Sequence, residues 1–175
     1  ENIDRDNINL IGQQNQLIRE LIKSGKPVIV VLVNSRPLAV GDVTKNAAAL
    51  IEAWEPGNMG GQAIAEIIFG KVNPSGKLPM SIPRSTGQVP TYYNYKPSNY
   101  FHKYIETQSS ALYDFGFGLS YTSFSISNIK LSKNTIAKNE KITVSCTVNN
   151  TGSMDGEEVV QVYVRDEVSS VTRPV

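Results

Sequence analysis

Hydrophobic and polar residues follow two different periods along the 175-residue chain, and the change falls near Thr122. In residues 9–24 the apolar side chains recur at helical spacing, which predicts an amphipathic helix that Gly25 and Pro27 end. The continuous apolar run of residues 28–33 has no polar alternation, as is typical of strands in parallel sheets. That run therefore predicts a strand covered on both faces.

The next part of the chain continues a mixed pattern. Residues 47–54 are ambiguous between helix and strand, and we interpret their second half as a strand. A helix with one apolar face is predicted at residues 61–69, after a short glycine-rich loop. This alternation predicts a layered α/β domain. Residues 88–110 show no period, and a long irregular segment of this kind is usually functional or poorly ordered.

From residue 123 onward the apolar residues alternate at period two, which predicts an all-β domain. Strands are predicted at residues 124–131, 142–148 and 160–164. A complete β-sandwich has about seven strands. We therefore expect a domain that is cut short, with open sheet edges that recruit partner strands. The chain is then expected to form a homo-oligomer or to be disordered after Thr122.

Charge and composition exclude several classes of protein. The 17 basic and 16 acidic residues leave a net charge of +1, which excludes a dominant electrostatic grip on nucleic acid or an anionic membrane. No apolar run reaches the roughly 18 residues of a membrane helix. The single cysteine, Cys146, and the single histidine, His102, provide neither a disulfide framework nor the spacing of a metal site. No phosphate-loop or dinucleotide spacing is present, so we expect no metal and no cofactor.

Three stretches carry candidate chemistry, and each has a structural alternative. Glu1 precedes the Asp-Arg-Asp cluster of residues 4–6, and it either projects towards a substrate or belongs to a solvated surface loop. The glycine-rich residues 57–61 either place backbone N–H groups near a ligand's oxygen atoms or form a tight strand-to-helix turn. The tyrosines of residues 92–104 either stack on sugar rings or pack in a core or interface.

Several motifs, taken in order, resemble those of glycoside hydrolase family 3. The first two are DRDNINLIGQQNQLI at residues 4–18 and KPVIVVLVNSRP at residues 26–37. They are followed by WEPG, GGQAIA, FG, NPSGKLP and LYDFGFGLSYT at residues 54–57, 60–65, 69–70, 73–79 and 112–122. Each motif alone is weak, but their shared order and spacing over nearly the whole chain are highly specific.

The resemblance implies a particular fold. Residues 1–122 would be the family's C-terminal α/β sandwich domain, a three-layer sandwich with a mostly parallel sheet, present without its N-terminal part. Residues 123–175 would be the start of a truncated all-β, fibronectin type III-like domain. The family's (β/α)8-like barrel does not fit in this chain, because such a barrel needs about 250 residues. The chain begins without Met, and we expect it to be a segment of a longer protein whose barrel is missing here.

The resemblance also implies a function, namely that of a retaining, exo-acting, β-glucosidase-like hydrolase of terminal non-reducing β-linked sugars. Its substrate would be an oligosaccharide or β-glucoside. The Asp nucleophile would lie in the missing barrel, and this domain would supply the general acid/base. Glu1 stands three residues before Asp4, which matches the acid/base position of some family members, although a Glu upstream of it could equally hold that role. The chain alone is expected to be inactive.

Other positions take supporting roles in the resemblance. Arg36, Asn73, Lys77 and residues 115–118 look like positions that hold loops and the domain junction. Trp54 and Glu55 end a strand at the sheet edge where α/β proteins carry ligands, so they are expected to approach the cleft but not to be catalytic. The resemblance places the parent protein in the periplasm or outside the cell.

Two rival functions remain at this stage. The first is a non-catalytic carbohydrate-binding or interaction module, which the tyrosine-rich segment and the start of a sandwich would suit. The second is a small-ligand α/β domain of flavodoxin type, and the absence of a phosphate-binding motif argues against it.

Overall fold

The computed structural model describes residues 4–94 and 104–165, which form small sheets with few helices. They divide into two units. The first unit contains residues 4–65, 77–94, 104–117 and 161–165, and the second contains residues 66–76 and 118–160. In the described ranges, no helix is long and apolar enough to cross a membrane.

A two-stranded parallel sheet forms the centre of the first unit. β1 (Ile29–Leu32) pairs with β2 (Ala49–Glu52) in a register that sets Leu32 opposite Glu52. Val30 and Leu32 are buried, whereas Ile29 on the other face is 44% exposed. The prediction of a strand covered on both faces is therefore wrong for the described residues, because the apolar cluster packs against only one face of β1.

The described ranges contain three α-helices: α1 (Gln14–Lys23), α2 (Gly41–Thr44) and α3 (Gly60–Ile68). A 3-10 helix spans Thr86–Gln88. α1 starts five residues later than the pattern predicts, because Gly12 takes a left-handed φ of +57° and the helix begins only after it. Gly25, at φ +75°, follows its C-terminus as predicted.

The core of the first unit is a cluster of small branched side chains. Val30, Leu32, Val40 and Val43 are buried, and Val40 is the most deeply buried. The partly buried residues that pack against this cluster come from several elements: Leu10, Ile18, Val28, Leu38, Ala47, Leu50 and Leu112. Burial of this one face holds β1, α1 and α2 together.

The second unit contains an antiparallel pair, β3 (Phe124–Leu131) and β4 (Val144–Asn150). β3 has its predicted bounds, and β4 lies two residues further along the chain than predicted. The register shifts after Ser127, where Asn128 takes a left-handed φ of +52° and donates to the Thr147 hydroxyl at 3.3 Å. A turn at residues 138–139 lies in the connection between β3 and β4.

The third predicted strand, residues 160–164, is not formed. Gln161 and Tyr163 belong to the first unit, where their side chains make the contacts that hold this segment. Gln161 donates to the Gly116 carbonyl at 2.9 Å, and the Tyr163 ring lies edge-on to Phe115 at 6.4 Å between centroids. Side-chain contacts therefore replace the backbone ladder that the alternating pattern predicted.

Candidate functional site

The carboxyl ends of β1 and β2 meet at one edge of the sheet, and polar groups gather just beyond them. Strand pairing continues past the strands, since Ala53 donates its N–H to Leu32 O at 2.9 Å. Asn34 donates its own N–H to Trp54 O at 3.1 Å. Because the strands are parallel, residues that are far apart in sequence come together at the edge where α/β sheets bind ligands.

Trp54 is held in an unusual backbone conformation at this edge. Its φ of +49° lies in the left-handed region, which costs a bulky residue roughly 1–2 kcal/mol. Its N–H donates to Glu52 Oε1 at 3.2 Å, and its carbonyl accepts the hydrogen bond from Asn34. Strained residues of this kind persist only where the surroundings fix them, and they concentrate at functional sites.

The Asn34 side chain connects the two strand ends. Its amide nitrogen donates to Arg36 O at 2.5 Å, and the side chain also hydrogen-bonds the Glu52 carboxylate. Its Oδ1 is buried and has no hydrogen-bond partner in the part of the chain that the structure describes. A buried acceptor without a partner costs about 1–3 kcal/mol, so it marks a place where stability is given up.

Glu52 is the titratable group at this edge whose pKa is clearly shifted by its surroundings. Burial raises the pKa of its carboxyl, and hydrogen bonds from the Trp54 backbone and the Asn34 side chain partly oppose that rise. Sequence reasoning missed Glu52. The available signal was a single carboxylate directly after the apolar residues 49–51. Its partner Asn34 lies 18 positions earlier in the sequence, and the parallel pairing of β1 and β2 brings the two together.

The loop after Trp54 is a tight strand-to-helix turn, one of the two alternatives for residues 57–61. Gly57 takes φ +67°, and Gly60 donates its N–H back to Gly57 O at 3.2 Å. Gly60 is buried against the Pro56 ring, which a Cβ at that position would overlap. Glu55 is exposed at the start of this turn, so its carboxylate is open to solvent.

Glu1 lies outside the described residues, and the nearest described hydrogen bonds are those of residues 5–9. The Arg5 guanidinium donates to Asn9 O at 2.8 Å and to Asn7 Oδ1 at 3.1 Å. Ile8 accepts from Ala39 N at 2.7 Å and donates its own N–H to the Thr86 hydroxyl at 3.3 Å. Residues 5–9 are therefore fixed to the body of the first unit.

Two of the described aromatic residues of the tyrosine-rich segment make contacts within the first unit, whereas Tyr92 is 59% exposed. Tyr93 stacks on Phe115 with ring centroids 4.4 Å apart, and Tyr104 donates its hydroxyl to Gly87 O at 2.7 Å. These contacts favour packing over sugar stacking for these two residues. His102 and the other aromatic residues at 95–103 lie outside the described residues.

Asn73 holds a loop, as the resemblance implied. In the second unit its Oδ1 accepts hydrogen bonds from Ser120 Oγ at 3.0 Å and from Tyr121 N at 2.8 Å. Its Nδ2 donates to Asp155 O at 3.0 Å. One amide side chain therefore connects three separate stretches of that unit.

A polar network in the first unit was not predicted. Buried Gln88 accepts from Arg84 N at 2.6 Å and donates to Gln108 O at 2.8 Å. The Arg84 guanidinium donates to Ser110 O at 3.0 Å and to Ala111 O at 3.1 Å. The segment has no sequence period because side chains, rather than a backbone ladder, satisfy its carbonyls.

The arrangement offers no metal centre within residues 4–94 and 104–165, where no group of three His, Cys, Asp or Glu side chains is placed to hold an ion. Cys146 is exposed on β4 as a free thiol.

Comparisons with known proteins identify relatives over nearly the whole chain. The family model described as "Glycosyl hydrolase family 3 C-terminal domain" matches residues 1–121. The periplasmic beta-glucosidase of Salmonella typhimurium is 44% identical and covers 98% of this chain. A beta-xylosidase of Formosa agariphila is 46% identical and covers 97% of this chain. The crystal structure of a beta-glucosidase from Listeria innocua, 36% identical, superposes on 96% of the chain with a TM-score of 0.85.

The chain spans only part of these proteins. It covers 24% of the Salmonella protein, 24% of the Formosa protein and 25% of the Listeria chain.

Proposed function

The chain belongs to glycosyl hydrolase family 3, and from that premise we propose that it is part of a retaining, exo-acting, β-glucosidase-like hydrolase. The proposed substrates are oligosaccharides or β-glucosides with terminal, non-reducing β-linked sugars. The observation that carries the proposal is the family match over residues 1–121, which contains the ordered motifs from Asp4 to Tyr121. The names of the Salmonella and Formosa relatives support it.

The proposed architecture has two parts within this chain. Residues 1–122 are a partial three-layer α/β sandwich whose parallel sheet includes β1 and β2, and residues 123–175 begin a fibronectin type III-like domain with β3 and β4. A (β/α)8-like barrel elsewhere in the protein would carry the Asp nucleophile. The substrate would bind between that barrel and the α/β domain.

Retaining hydrolysis uses two carboxyl groups about 5 Å apart. In the proposed mechanism, the barrel aspartate attacks the anomeric carbon while Glu1 protonates the departing glycosidic oxygen. Glu1 then removes a proton from the water that releases the sugar. The hydrogen bonds of Arg5 and Ile8 support this assignment, because they fix the backbone a few residues after Glu1. A Glu upstream of Glu1 is the alternative for the same role.

The proposed location is the periplasm or the outside of the cell, and the name of the Salmonella relative supports it. The 175-residue chain alone is proposed to be inactive, because half of the carboxylate pair would be missing. Hydrolysis of an aryl β-glucoside by the purified chain would contradict this part of the proposal.

The test uses the full-length protein. Wild type is expected to hydrolyse nitrophenyl β-glucoside or nitrophenyl β-xyloside. Glu1→Gln is expected to lose activity mainly on alkyl glycosides, whose poor leaving groups need protonation, by about 100-fold or more. Wild-type activity of Glu1→Gln on such a substrate would move the acid/base role to an upstream Glu. Saturable sugar binding without hydrolysis of any glycoside would instead favour a non-catalytic carbohydrate-binding module.

A further inference from the structure

We propose that Glu52 is a positioning residue, which holds Trp54 in its left-handed backbone conformation so that the indole and the following turn form part of the wall of the sugar-binding cleft. The inference rests on the proposed function, in which the substrate binds between a barrel and this α/β domain. It concerns a residue that is two positions from Trp54 and does not itself touch the reacting atoms.

The first step of the argument is that Trp54 needs an external restraint. A tryptophan at φ +49° is strained, because its Cβ crowds its own carbonyl oxygen. The neighbouring glycines at 57 and 60 show that the loop uses glycine where freedom or space is required. A large aromatic residue at the strained position, in place of glycine, indicates that the indole itself is needed there.

The second step is that two contacts supply the restraint. The Glu52 carboxylate accepts the Trp54 N–H at 3.2 Å, and Asn34 donates to the Trp54 carbonyl at 3.1 Å. The N–H and the carbonyl of Trp54 are therefore both hydrogen-bonded, the first to the Glu52 side chain and the second to the backbone of Asn34, which follows β1. The Asn34 side chain also hydrogen-bonds the Glu52 carboxylate, which orients the acceptor.

The third step places this arrangement at a ligand edge. Trp54 follows the carboxyl end of β2, beside the carboxyl end of β1, where open α/β sheets bind their ligands. Trp54 as a whole residue is only partly buried, so it is not enclosed in the core of the first unit. An indole offers a flat apolar face of the kind on which sugar rings pack.

The experiment compares Glu52→Ala, Glu52→Gln and Glu52→Asp in the full-length protein, with Glu20→Ala as the matched control. Glu20 is an exposed carboxylate on α1, where it pairs with Lys23. Each variant is assayed for kcat and KM on nitrophenyl β-glucoside or β-xyloside. Amide hydrogen exchange of the peptide that contains Trp54 provides a second readout that needs no activity.

Glu52→Ala is expected to raise KM about tenfold with a smaller change in kcat, because one hydrogen bond to the Trp54 amide is lost. Exchange at that amide is expected to accelerate by a similar factor. Glu52→Gln keeps an acceptor oxygen and is expected to restore both values to within about twofold of wild type. Glu20→Ala is expected to change neither value.

The inference fails if a folded Glu52→Ala keeps the wild-type KM and the wild-type exchange of the Trp54 amide. If Glu52→Ala does not fold, Glu52→Asp decides in the same way, because it shortens the side chain by one methylene and withdraws the acceptor. Faster Trp54 exchange with an unchanged KM would also overturn it, since Trp54 would then lie outside the cleft. A wild-type protein that hydrolyses no glycoside refutes the proposed function instead, and the exchange readout still tests the restraint on Trp54.

Discussion

Gln161 holds its side-chain amide directly against the backbone of Gly116. A Cβ on Gly116 would overlap the Gln161 amide, whose nitrogen donates to Gly116 O at 2.9 Å. Gly116 also takes φ +78°, a left-handed conformation that favours glycine over any residue with a Cβ. The segment around Tyr163, which forms no strand, is attached to the first unit at this point.

Gly116→Ala is expected to lower the free energy of unfolding of the full-length protein by about 1–3 kcal/mol, from backbone strain and from displacement of Gln161. Denaturant unfolding measures the change. Gly61→Ala is the matched control, because a Cβ at this α3 position meets nothing within 4 Å. That control is expected to stabilise the protein by about 0.5–1 kcal/mol. Equal effects of the two substitutions would contradict the role given to Gly116.

Asn73→Ala is expected to destabilise the second unit by about 2–3 kcal/mol, because Ser120, Tyr121 and Asp155 all lose a hydrogen-bond partner. Hydrogen exchange at the Tyr121 amide should accelerate, since that N–H would have no acceptor. Asn73→Asp keeps the acceptor and should leave the Tyr121 amide protected. Unchanged exchange in Asn73→Ala would show that the loop holds itself.

Local patterns predicted the elements whose own sequence determines them, and they failed where distant residues decide. The residues of β3 alternate apart from one slip at Asn128, where the register shifts, so the bounds of the strand were predicted. α2 was not predicted, because its four residues are too few to show a period. Its residue Val43 is buried in the core of the first unit, among residues that are distant in sequence. The site at Glu52 depends on Asn34 and on a left-handed Trp54, a conformation that tryptophan disfavours, and no local pattern contains that information.

The homo-oligomer expected from open sheet edges remains a prediction. β3 and β4 form a two-stranded ribbon, which is at best marginally stable without further cover. Large apolar residues on it are exposed: Ile126, Ile129, Leu131, Val144 and Val148. We expect light scattering of the 175-residue chain to show a dimer or a larger species. A monomer with sharp nuclear magnetic resonance signals from β3 and β4 would contradict the expectation.

The stability of the full-length protein should contain a pH-dependent contribution from Glu52. Burial raises the pKa of this carboxyl above its ordinary value of 4.5, against the opposing effect of the hydrogen bonds from Trp54 and Asn34. Between the unfolded and the folded pKa, the folded protein binds more protons at this site than the unfolded chain does. The Glu52 contribution therefore favours folding at low pH and is lost as the pH rises through that window, which begins near 4.5.

Glu52→Gln removes this titration but keeps an acceptor for the Trp54 amide. Wild type should lose the Glu52 contribution to stability as the pH is raised from about 4 to about 7, whereas Glu52→Gln should not lose it. The free energy of unfolding of Glu52→Gln minus that of wild type should therefore increase over this range. Guanidinium unfolding at both pH values measures this difference, with Glu20→Gln as the control for loss of one exposed carboxylate. A difference that stays constant, or that shrinks as the pH rises, would mean that burial does not dominate at Glu52. The hydrogen bonds from Trp54 and Asn34 would then favour the charged form of the Glu52 carboxylate. They alone would account for the position of that carboxylate beside Trp54.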